Sequence, residues 1–147
     1  MTETPTQVPG PVDYLLVEWT DRRPNGEVAP YLIDLVERGL IRILDLRFLA
    51  KDEDGSVTEI EIADLGGEIA EFAFFEGARS GIVDDEDLGA AAATLEPGTA
   101  AALLVYENVW AAPFASAVLA SGGDVVASGR IPVPDLLAAL DAVEANA

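Results

Sequence analysis

Hydrophobic positions along this chain recur with two different periods, and the switches between them mark its elements. Residues 13–19, "DYLLVEW", form a short apolar run closed by turn residues, which is the pattern of a strand. In "GEVAPYLIDLVERG" the period lengthens: Val28, Leu32, Leu35 and Val36 share one side, with Glu27, Asp34, Glu37 and Arg38 on the other. Pro30 suits a first turn and Gly39 a left-handed stop, so the spacing predicts a helix with both ends marked. "IRILDLRFLAK" returns to period two, setting Leu44, Leu46 and Phe48 against Asp45 and Arg47. "VTEIEIADL" repeats that alternation with Ile60 and Ile62 against Glu59 and Glu61. Two alternating runs on either side of "DEDGS" predict a hairpin.

Residues 66–81, "GGEIAEFAFFEGARSG", follow neither period and read as a short packed helix or a cover over the core. In "VDDEDLGAAAATLEPG", Asp84 is placed to cap a helix with Asp87 at its third position, and Val83 and Leu88 sit at the flanking apolar positions. "AALLVYENVW" resembles the first strand in kind. It is followed by "AAPFASAVLASGG", where Phe114, Ala117, Val118 and Ser121 take helical spacing, and by "DVVASGRI", read as a strand. Strand–helix–strand thus occurs twice, with Pro30 and Gly39 bracketing one helix as Pro113 and Gly122 bracket the other. "VPDLLAALDAVEANA" places Leu136, Leu140 and Val143 on one face of a terminal amphipathic helix. The simplest assembly is α+β: a ferredoxin-like, split βαβ antiparallel sheet with helices on one face, an extra hairpin edge strand and a C-terminal helix. In it the strands carrying Glu18 and Glu107 are central neighbours. A parallel doubly wound sheet is the alternative, set back by the hairpin. Residues 1–11 read as an irregular tail and 12–147 as one domain.

One stretch imitates a known site. With Ala50 at position 1, "AKDEDGSVTEIE" puts Asp52, Asp54, Gly55 and Glu61 at positions 3, 5, 6 and 12 of a helix-flanked calcium loop. Such a loop needs a helix on each side and a carboxylate at position 1. Here the flanks alternate like strands and position 1 is alanine, so the hairpin is the expectation. The "DDED" run has a similar reading, as carboxylates gathered at the positive end of a helix. Adjacent residues splay around a helix, which argues against a metal site there. No metal or cofactor is expected.

Composition then narrows the function. Half the residues are hydrophobic (50%), which argues for a packed domain despite the charge. With 27 acidic and 8 basic residues the net charge is −19, a field that repels nucleic acid and anionic membranes. Cysteine and histidine are both lacking, which removes disulfides, the thiolate nucleophile and the commonest general base. The first residues show no basic region followed by an apolar one, and no apolar run reaches roughly 18 residues, so a cytoplasmic protein is expected.

The stretches "GPVDYLLVEW", "GEVAPYLIDLVERGLIRILDLRFLAKDEDGSVTEIEIADL" and "SGIVDDEDL…LEPGTAAALLVYENVWA" resemble a family of short actinobacterial proteins of unknown function. That family is similar to a wider bacterial group described as predicted membrane proteins, which share the strand–helix–hairpin start and the "DDEDL…LEPG" segment. In the wider group a long glycine-zipper apolar segment lies between these parts. Here the place holds residues 66–81, interrupted by Glu68, Glu71, Glu76 and Arg79, so the membrane label does not carry over. The resemblance implies no activity.

Three functional classes remain. An enzyme would need paired carboxylates, a lysine or a tyrosine. Lys51 falls in the hairpin turn, where solvent is its expected surrounding, and Glu18 and Glu107 read as the exposed ends of strands. A small-ligand or regulatory module would use the loop of Trp19, Arg22 and Arg23, a basic spot just before a helix N-terminus that suits an anion. Arginines in turns are otherwise solvated or paired with nearby acids. The third class is the expectation: a non-enzymatic protein acting through self-association or partner binding, first of all as a homodimer. A sheet covered on one face leaves the other apolar, unless the terminal helix or residues 66–81 fold back over it.

Overall fold

A computed structural model describes residues 9–20, 27–61 and 80–146. The chain divides into two compact units, Met1–Ala117 and Val118–Ala147. The first holds a four-stranded sheet. Its strands are β1 (Val12–Trp19), β2 (Ile41–Lys51), β3 (Val57–Ile60) and β4 (Thr99–Asn108), in the order β1-β4-β2-β3 with every neighbouring pair antiparallel. Helix α1 (Ala29–Glu37) links β1 to β2, and α2 (Asp85–Ala93) precedes β4. β1 and β2 therefore run parallel with β4 inserted between them, a split crossover. The hairpin strand β3 does form an edge, as expected.

Local chemistry explains why these elements sit where they do. α1 carries Pro30 in its first turn and ends before Gly39, whose φ is 73°. α2 is closed by a full capping box. Asp84 Oδ1 accepts the Asp87 N–H at 2.8 Å, and Asp87 Oδ2 accepts the Asp84 N–H at 3.1 Å. The flanking Val83 and Leu88 are both buried, as the staple geometry requires. β2 and β3 meet at a turn whose Gly55 has φ 89°. There the Asp52 N–H donates to Ser56 O, and the Ser56 hydroxyl donates to both Asp52 and Asp54. Strands thus flank the "DEDGS" stretch on both sides.

Three expectations are corrected. Helices do not share one face of the sheet. Ala102 of β4 packs with Leu46, Phe48 and Ala29 of α1, while its neighbours Leu103 and Val105 pack with Leu49, Leu88 and Ala92 of α2. Successive side chains on a strand point to opposite faces, so α1 and α2 cover opposite sides. The reason is visible in β4, whose first five residues are all buried: a continuous apolar run needs cover on both faces. Next, β1 is an edge strand rather than a central one. The segment read as a strand, "DVVASGRI" (124–131), has no regular structure and is exposed along its length. Asp45 and Arg47, the polar positions in the alternation of β2, are buried as well, because α2 and the residues before it cover their face.

The second unit is described by itself. Helix α3 (Ala112–Ala120) begins in the first unit and ends in this one, with Gly122 at φ 87° after it. Helix α4 (Val133–Ala145) carries Leu136, Leu140 and Val143 on one side, and none of its residues is buried. Most of residues 66–81 lies outside the described parts.

Candidate functional site

β1 organises the surface that distinguishes this molecule. Its odd residues face the α1 side of the sheet and its even residues the α2 side, since Trp19 packs with the first core cluster and Leu16 with the second. On the α1 side, Val17 and Trp19 form one wall of an apolar groove of about 240 Å³; Val28, Tyr31, Leu32 and Leu35 form the other, over a floor that includes Leu46 and Phe48. Tyr31 is 75% exposed and Trp19 half-buried. On the α2 side a second groove, about 520 Å³, runs between Val12, Tyr14 and Leu16 and the residues Ile82, Ala90 and Ala91, with Asp87 at its rim. Two apolar grooves therefore flank one sheet edge.

The polar groups picked out from sequence lie elsewhere. Glu107 is buried: its Oε2 accepts the Gly10 N–H at 2.8 Å and its Oε1 pairs with Arg42 at 2.7 Å. The backbone donor and the guanidinium hold its carboxyl below the usual carboxylate range. It is thus an anchor for the chain before β1 rather than an exposed strand end. Glu18 accepts the Glu96 N–H at 2.8 Å and lies opposite Ala101, whereas Glu107 lies opposite Val12. The two carboxylates sit at opposite ends of the β1–β4 pair and form no dyad.

Lys51 is not solvated either. Its ammonium donates to Ala92 O at 3.1 Å and Leu95 O at 3.0 Å, capping the carbonyl end of α2. Arg47 binds both Glu59 oxygens, at 2.6 and 3.1 Å, and donates to Val83 O at 3.0 Å. These partners, with Asp45 nearby, raise its pKa against the opposing effect of burial. Asp45 accepts the Val83 N–H at 3.3 Å, and its second oxygen has no hydrogen-bond partner among the described residues. This network ties β2 to the stretch ahead of α2.

Of the loop singled out for a ligand, Trp19 lines the α1-side groove, while Arg22 and Arg23 lie outside the described residues. The groove-forming part of Tyr14, Tyr31 and Ile82 was missed in sequence. Tyr14 lies on β1, Tyr31 on α1 and Ile82 just ahead of α2, and only the packing shows that Tyr14 and Ile82 share one groove while Tyr31 joins Trp19 in the other. Among the described residues no group of three or more acidic side chains converges as a metal site, and no helix is long and apolar enough to cross a membrane.

Comparison with curated proteins and with solved structures gave no match. The profile of one family covers nearly all of the chain, residues 8–147. The chain belongs to that family, described as a family of unknown function, DUF6325.

Proposed function

We propose that this is a non-enzymatic protein acting through self-association or partner binding, with the surface around β1 as the contact region. The observation that carries the reading is the pair of apolar grooves flanking that strand on a chain of net charge −19. Charge keeps such a protein dispersed, so contiguous apolar surface at one edge is where association gains most from leaving water. The lack of histidine and cysteine and the separation of Glu18 from Glu107 support a binding role over catalysis.

A second reading rests on Trp19. A small apolar or aromatic ligand seated between Trp19 and Tyr31 would make the chain a ligand-binding module. The two readings separate in one experiment. Sedimentation equilibrium is run on the full chain in moderate salt while Trp19 emission is followed in a Trp110→Phe background. Association shifts both mass and emission with protein concentration. A constant monomer mass with constant emission overturns the association reading, and a shift only on adding small aromatic compounds favours the ligand module.

A further inference from the structure

We infer that β1 is the pairing edge for a second copy of this chain, joining two sheets into one continuous antiparallel sheet across a two-fold axis; this deepens the association reading and rests on it. The strand lacks the usual guards of a sheet edge. Its eight residues, "VDYLLVEW", contain no proline and no lysine, and it pairs with β4 without a register shift. Sheet edges are normally protected by such devices, or by being short. The opposite edge, β3, is indeed short, at four residues. Among the described residues, no strand pairs with the outer side of β1.

The hydrogen-bond alternation determines how a twin would add. The Asn108 N–H donates to Pro11 O at 2.8 Å, and in the ladder Val12 lies opposite Glu107. Position 11 therefore directs its carbonyl to β4, as do 13, 15, 17 and 19 with their backbone groups, by the alternation of an antiparallel pair. Val12, Tyr14, Leu16 and Glu18 direct theirs outward. An antiparallel twin must match outward residues with outward residues, which means even with even. The register centred on Leu15 sets Tyr14 opposite Leu16 and Val12 opposite Glu18 of the second copy, each pair exchanging two hydrogen bonds.

That parity also solves the charge problem. Asp13 and Glu18, the strand's two charges, are odd and even, so they are never directly opposed in an even register. In the register centred on Leu15, Asp13 faces Val17 and Glu18 faces Val12. Apolar side chains meet on both faces. Tyr14, 73% exposed here, lies beside Leu16 of the twin on the α2-side groove, and Leu15 meets its own copy on the α1 side. One strand that satisfies itself in this way suits a cyclic two-fold dimer. The remaining opposition is long-range repulsion between two acidic molecules, which salt screens.

The test uses the full chain. Sedimentation velocity across dilution is expected to show a reversible equilibrium between 15.4 kDa and twice that mass, shifted toward the dimer by added sodium chloride. Tyr14→Pro removes an outward N–H that β4 does not use, so it blocks the twin while keeping the β1–β4 ladder. It is expected to weaken dimerisation about a hundredfold or more, from two lost bonds and a steric clash. Amide exchange on the wild type needs no variant. On passing from dilute to concentrated protein, the outward N–H groups of Tyr14, Leu16 and Glu18 should slow by about tenfold or more, while those of Leu15 and Val17 are protected throughout. A dimer whose outward amides stay fast overturns the edge pairing and leaves the association reading standing. A dimer broken by Tyr31→Glu but not by Tyr14→Pro moves the contact to the α1-side groove and has the same effect. A monomer at every concentration overturns the pairing and self-association together. Outward amides protected only after a lysine-rich extended peptide is added to monomeric protein assign the edge to a cationic strand, and the second copy is then rejected.

Discussion

The carboxylate of Glu107 accepts a hydrogen bond from the backbone N–H of Gly10, 97 residues earlier in the chain, at 2.8 Å. This bond fixes the start of β1 against the far end of β4. Arg42 on β2 closes the same carboxylate from the other side. Three distant parts of the chain thus meet at one buried anion, which makes its loss easy to read out.

Glu107→Gln is expected to destabilise the fold by roughly 1–3 kcal/mol, because the charge-assisted bonds become neutral or are lost. Chemical denaturation of both proteins measures the difference. The pH dependence has a definite sign. The folded carboxyl titrates below its unfolded value, so its contribution is fully present above the unfolded carboxylate range. It is lost as pH falls through the folded pKa. The stability gap between wild type and Glu107→Gln should therefore shrink on acidification below about pH 4.3, and a constant gap would count against the assignment.

Gly10→Ala is expected to be damaging although the residue has an ordinary φ. A Cβ at this position would collide with the carbonyl of Asn108, which is backbone and cannot swing aside. Overpacking of this kind costs about 1–3 kcal/mol, and here it also pulls the N–H away from Glu107. A melting temperature equal to wild type would show that the approach is looser than described.

Asp84→Ala removes the carboxylate that accepts the Asp87 N–H, one half of the α2 capping box, and should cost about 1 kcal/mol. Asp85→Ala, one residue along and outside the box, is the control, with an effect within about 0.5 kcal/mol. Equal effects at the two sites would mean that the run acts only as bulk negative charge at a helix N-terminus.

Arg47→Met should be the most destabilising of these changes, by about 3–5 kcal/mol, since it strips a buried guanidinium from Glu59 and from the vicinity of buried Asp45. A double-mutant cycle with Glu59→Gln should show strong coupling. Additive effects would place the cost in lost packing of the arginine stem instead.

Salt should raise the melting temperature of the monomeric protein. At net −19 the compact state repels itself, and ions screen this over a Debye length of about 10 Å at 0.1 M. A monovalent series is the fair test, because divalent ions add binding to screening. Calcium at micromolar levels should add nothing beyond that series. A calcium effect that disappears in Asp54→Ala would instead make the hairpin turn a site.

What the sequence determined by itself was everything that depends on neighbours along the chain. Pro30 and Gly39 marked the ends of α1, Asp84 and Asp87 closed the cap of α2, and Asp54-Gly55 turned the β2–β3 hairpin. These are short-range effects of sterics and hydrogen bonding, so the residues involved lie within a few positions of each other. The tertiary structure decided the rest. Whether Asp45 and Arg47 face water or a helix depends on what covers the sheet, and alternation alone cannot distinguish a half-buried strand from one covered on both sides. The unbroken apolar run of β4 carried that signal and was read only as a strand. The exposure of β1 was likewise hidden, because edge or centre is a property of strand order, and strand order comes from contacts between residues as far apart as Gly10 and Glu107. The grooves beside β1 exist for the same reason: Trp19, Tyr31, Tyr14 and Ile82 become neighbours only after the sheet and its two helices have packed.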